Sequence, residues 1–136
     1  DESEQPSMVR ETVESATFLF EFQGEGMNKT IPPGARCLFR LLGPEDPLPP
    51  RDSLVMVEGP HIDDPDNGST TVRRFRYTPL TDENGEPTSV RVTLRPQSSD
   101  RKAYGNINFD IPVEEWPLWR PKAVFEKIVE DALWPA

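Results

Sequence analysis

Early in the chain, aromatic residues recur at every second position: Phe18, Phe20 and Phe22, with Ala16 in phase. A period of two puts such side chains on one face of a strand, and the pattern predicts one between Thr12 and Phe22. Gly24 and Gly26 end the run, and Ile31-Pro-Pro-Gly34 leads into a second strand from Arg36 to Leu42. There Cys37, Phe39 and Leu41 share a parity. In the segment Ser53 to Glu58, Leu54 and Met56 alternate with Val55 and Val57. Both faces of that strand are apolar, as expected of a central strand covered on two sides. Ile107, Phe109 and Ile111 mark another half-buried strand near the end.

Residues 74 to 95 carry the clearest pattern. Two alternating runs flank Asn84-Gly85, the strongest short-range signal for a β-hairpin. With Asn84 and Gly85 as the two central turn residues, Phe75 faces Leu94, Tyr77 faces Val92 and Pro79 faces Val90. On the opposite side Arg74 faces Arg95, Arg76 faces Thr93 and Thr78 faces Arg91. A slip of one residue would turn one strand inside out, so the register is well specified. Pro79 and Pro87 cannot donate ladder hydrogen bonds, which predicts a loose edge or a longer loop at the tip.

The period changes at the tail. Pro121 suits the first position of a helix. Val124, Phe125, Ile128, Val129, Ala132 and Leu133 then recur with helical spacing, predicting an amphipathic helix over residues 121–133. The expected fold is mainly β: an antiparallel β-sandwich or barrel of about six to eight strands with that C-terminal helix. Residues 1–10 are expected to be a flexible acidic arm, and residues 11–136 a single β-rich domain.

Composition narrows the function classes. The chain has 136 residues, a net charge of −9 and 16 prolines. This acidity argues against general affinity for nucleic acid or anionic membranes. No apolar run approaches the roughly 18 to 20 residues of a membrane-spanning helix. No secretory leader is expected at the start. Asp1 in place of Met suggests a chain processed or excised from a longer one. Cys37 is the only cysteine, so no intrachain disulfide is expected, and its parity predicts a buried core thiol. The Gly43–Arg51 stretch holds four prolines. It is expected to form a stiff surface loop, with a polyproline docking segment as the sharper reading.

Candidate chemistry is sparse. Asp63, Asp64 and Asp66 supply hard oxygens of the kind calcium prefers, but the EF-hand pattern fails. With Gly68 at the sixth loop position, the third is Pro65 and the twelfth Arg74. These aspartates are expected to form a solvated turn, with an irregular cation site as the alternative. His61 stands alone and cannot build a multi-histidine zinc site. Two sequons, at Asn28 and Asn67, fall in expected loops. Arg74, Arg76, Arg91 and Arg95 share the outward face of the hairpin. They neutralise the chain's own carboxylates, contact a protein partner, arginine being enriched at interface hot spots, or recognise phosphate or nucleic acid, a reading that lacks aromatic residues interleaved on the same face. Trp116, Trp119 and Trp134 pack at the strand–helix junction or anchor a partner. The expected function is a non-enzymatic protein-binding or assembly module, acting through a sheet face or the terminal helix. The alternative is a module that binds carbohydrate or a cation in its end loops. No cofactor is expected, and nucleic acid is not an expected partner.

Overall fold

The structure, a computed structural model, describes residues 16–129. They contain seven strands: β1 (Thr17–Glu21), β2 (Arg36–Leu41), β3 (Leu54–Glu58), β4 (Thr70–Thr81), β5 (Pro87–Arg95), β6 (Ile107–Pro112) and β7 (Ala123–Ile128). All pairings are antiparallel, and the strands form one curled, half-barrel sheet in the order β1-β2-β7-β3-β4-β5-β6. The chain is thus mainly β, as expected. Its layers are not those of a sandwich, because both cores lie against a single sheet.

The sheet is covered on opposite faces at its two ends. One core gathers Phe22, Met27, Ile31, Cys37, Phe39, Leu54, Met56, Val72 and Ala123. Met27 and Ile31 come from the β1–β2 loop, which folds back over the strands. Phe39 is the centre, with the rings of Phe18, Phe20 and Phe125 all within 6 Å. The other core gathers Val55, Val57, Ile62, Phe75, Val92, Leu94 and Ile111. Leu48, Trp116 and Trp119 pack over it. β3 serves both cores, Leu54 and Met56 facing one and Val55 and Val57 the other. Its two apolar faces mark it as the central strand, and it lies fourth of seven in the sheet.

Cys37 is fully buried in the first core. Burial pushes its thiol up to about 11, leaving almost no thiolate, the reactive form. The native protein is therefore expected to resist iodoacetamide at pH 8 and to react only after unfolding in denaturant. Mass spectrometry of the quenched reaction checks this. Fast labelling of the native chain would mean that β2 opens readily.

The hairpin register is the expected one, with Phe75 opposite Leu94, Tyr77 opposite Val92, and Arg74 opposite Arg95. The turn differs. Gly85 N–H donates to the Asp82 carbonyl, and Asp82 N–H to that of Glu86. Glu83 and Asn84 are therefore the central residues, and Gly85 takes the left-handed position at φ +80°. The Asp82 side chain fastens this turn by accepting from the Asn84 and Glu86 N–H groups. A register shift between Leu80 and Thr81 compensates the change in the turn, so the ladder beyond it is unaltered. The tip is not loose: β4 runs through Pro79 to Thr81, and β5 begins at Pro87.

The expected helix over 121–133 is not present. Residues 123–128 form β7, inserted between β2 and β3, while 130–133 lie outside the described residues. The misleading feature is the adjacent apolar pair Val124 and Phe125. On a helix such neighbours share one broad face; here they point to opposite sides of an interior strand. Phe125 joins the first core, and Val124 lies beside Leu42, Leu48 and Pro49 on the other side. Glu126 is skipped in the pairing with β2, a bulge that further disguises the alternation. Among the described residues the one helical piece is a 3-10 turn, Trp116–Leu118. The expected arm, residues 1–10, lies outside the described residues.

Candidate functional site

The four arginines of the hairpin share one face of the sheet, the side not covered by the second core. Two are tied to the chain's own carboxylates. Arg76 forms a forked pair with Asp52 at 2.7 and 3.3 Å, and Arg91 one with Asp110 at 2.8 and 3.1 Å. These bonds hold both carboxyl groups below the usual carboxylate range. Arg74 donates to the Gln97 side-chain carbonyl and the Asp52 main-chain carbonyl, each at 2.9 Å. Arg95 is exposed and has no ion pair or side-chain hydrogen bond among the described residues. The four therefore do not act alike, and Arg95 is the one left open.

Arg95 opens onto a cleft of about 450 Å³, also lined by Lys29, Pro96, Gln97, Ser98, Arg101, Tyr104 and Asn106. Its walls are two loops fastened together, 24–31 between β1 and β2 and 96–106 between β5 and β6. Main-chain bonds run from Lys29 N–H to the Gln97 carbonyl and from Gln97 N–H to the Gly26 carbonyl, both 2.9 Å. Asn28 both donates to the Ser99 hydroxyl and accepts from the Ser99 N–H. Thr30 donates its hydroxyl to the Gln97 side-chain carbonyl at 2.7 Å. Tyr104 accepts from Glu25 N–H and donates to Asp66. That bond to Asp66 raises the Tyr104 pKa. Gly24, at φ +80°, lets the loop pass where a Cβ would overlap the Asp66 side chain.

The aspartates of the 61–70 loop serve the structure around this clamp. Asp64 is buried. One of its oxygens accepts from the main-chain N–H groups of Asp66 and Asn67, closing the loop. The other accepts from the Thr71 hydroxyl at 2.6 Å and faces Arg73 at 3.5 Å. Arg73 is also fully buried, donating to Thr71 at 2.9 Å and to the Gly105 carbonyl at 2.6 Å. Desolvation lowers the guanidinium's pKa, and Asp64 pulls it the other way. Asp63 is exposed, and Asp66 turns to Tyr104. The three carboxylates do not converge, and no group of three or more potential metal ligands occurs among the described residues.

Trp116 and Trp119 stack at 5.8 Å and close the second core, Trp119 on Phe75 and Trp116 on Tyr77. Trp134 lies outside the described residues. His61 stacks on Phe109 at 5.2 Å. Both sequon asparagines are engaged, Asn28 with Ser99 and Asn67 with Asp64. The proline-rich loop lies against its own protein: Leu48 joins the second core, Pro49 is buried, and Arg120 holds the Asp46 carbonyl. Sequence reasoning missed the cleft because Lys29 is distant along the chain from Arg95 and Arg101. The strand order sets their loops at opposite ends of the sheet, its curl and the bonds between them bring the loops together, and neither loop has a periodic signal. No family model, curated protein or solved structure matches the chain.

Proposed function

We propose that this protein is a non-enzymatic binding module that receives an acidic segment of a protein partner on the outer face of β4, β5 and β6. One observation carries the reading. Among the described residues nothing packs over this face, which bears Arg74, Arg76, Arg91 and Arg95 against Asp52 and Asp110 in a chain whose net charge is −9. Local positive charge on an acidic protein selects a partner by complementarity, and it sets register and on-rate more than raw affinity. Arg76 and Arg91 are held in fixed geometry by their aspartates, so little side-chain entropy remains to be lost on contact. Arg95 supplies a charge with no ion pair among the described residues, felt at longer range by Asp52.

A ten-residue glutamate peptide, titrated calorimetrically, tests this. Binding is expected at low salt and should weaken as the Debye length falls from about 30 Å at 0.01 M to about 8 Å at 0.15 M. Arg95→Glu should weaken it roughly tenfold. Absence of binding at low salt, or equal binding by the charge-reversed variant, would refute the reading.

A further inference from the structure

We infer that the cleft between the two fastened loops is an oxyanion site, built for a phosphoryl group on the partner. The inference rests on the proposed docking face for its partner, but the site's chemistry is its own. Lys29, Arg95 and Arg101 line the cleft, and no carboxylate does. All three are exposed and have no ion pair or side-chain hydrogen bond among the described residues. Five other cations, Arg40, Arg73, Arg76, Arg91 and Lys122, are ion-paired with carboxylates. Three cations in one concavity, none ion-paired among the described residues and with no carboxylate lining it, are a local excess of positive charge, and a cleft of one sign focuses that field.

Uncharged donors accompany the cations. Gln97 accepts through its side-chain carbonyl from both Thr30 and Arg74. That fixes the amide's orientation and leaves its NH₂ group with no acceptor among the described residues. Ser98 is 6 % exposed. Its hydroxyl accepts from Asp100 N–H, and its own proton has no acceptor among the described residues. A buried donor without an acceptor is costly, and a bound anion would remove that cost. The bonds between the loops hold these groups in place before any ligand arrives, which reduces the ordering cost of binding. The charge decides the class of ligand. One carboxylate is matched by one arginine, as Arg76 with Asp52 shows. Three cations with two neutral donors suit a phosphoryl group, with a charge of about −1.5 to −2 at pH 7 and three strong acceptor oxygens.

The test uses the full chain with two probes. Inorganic phosphate is titrated against backbone and side-chain NMR resonances. An acidic peptide is then compared with and without one phosphoserine. Phosphate should shift the signals of Lys29, Gln97, Ser98 and Arg101, and the phosphorylated peptide should bind about tenfold tighter than its unmodified form. Arg95→Gln with Arg101→Gln should abolish both effects. These side chains are exposed, and an unchanged melting temperature verifies the fold. Unmoved resonances at millimolar phosphate, or equal shifts in the double variant, would overturn the site. If the unmodified peptide binds while phosphate does not, the docking face stands and the oxyanion site falls. Site-specific phosphate binding without any peptide binding gives the reverse.

Discussion

Replacing Asp64 with alanine is expected to lower the free energy of unfolding by about 3–5 kcal/mol, the range for breaking a buried ion pair from one side. The magnitude follows from what is left behind. Arg73 and Asp64 are 1 % and 7 % exposed, so water cannot replace the lost carboxylate. The Arg73 charge would remain buried, held by the Thr71 hydroxyl and the Gly105 carbonyl. Thr71 would lose its acceptor, and the N–H groups of Asp66 and Asn67 would lose the oxygen that closes their loop. Such a loss is a large part of the roughly 5–15 kcal/mol that holds a domain together. It should appear as a fall in melting temperature of roughly 10 °C or more, and as a lower denaturant midpoint. Asp63→Ala, one residue away but exposed, should fall within about 0.5 kcal/mol of the parent. Combining Asp64→Ala with Arg73→Met should cost less than the two single changes together, because no unpaired charge then stays buried. Equal losses at Asp63 and Asp64 would show that the loop, not the ion pair, carries the effect.

This pair also marks how far the sequence could be read. Arg73 sits beside the outward Arg74 with the opposite parity, so the alternation of β4 places it inside. What alternation cannot supply is the partner that makes a buried guanidinium tolerable. That partner comes from the 61–70 loop, whose aspartates resemble a cation-binding run when read along the chain. In space one of them is consumed by an arginine, a threonine and its own loop. The hairpin was legible because its strands are adjacent in sequence and its two faces differ in chemistry. β3 was legible because covering on both sides leaves no polar position. The basic cleft was not, since its cations lie on two segments far apart in sequence that only the curl of the sheet brings together. Arg95 alone was within reach, as the last outward arginine of the hairpin.

β7 is where local pattern and tertiary pairing diverge most, and it gives the second large effect. Val124→Pro is expected to abolish the folded state rather than release a terminal element. β7 pairs with β2 from Cys37 to Leu41, and with β3 at Val55 and Met56. It is the strand that joins the half of the sheet holding the first core to the half holding the second. Proline removes a ladder donor and does not fit a central strand. Ala123 and Phe125, which flank the site, belong to the core around Phe39. The main-chain bond from Lys122 N–H to the Met56 carbonyl and that from Leu42 N–H to the Lys122 carbonyl depend on the same alignment. Loss of the strand would leave β2 and β3 as two open apolar edges, a condition that favours aggregation. The expected observation is a chain without a cooperative thermal transition by circular dichroism, recovered largely from the insoluble fraction. Had residues 121–133 been an amphipathic helix packed on the outside, proline near its start would have been tolerated and the sheet would still melt cooperatively. A soluble Val124→Pro variant with a melting temperature near that of the parent would therefore remove β7 from the centre of the sheet.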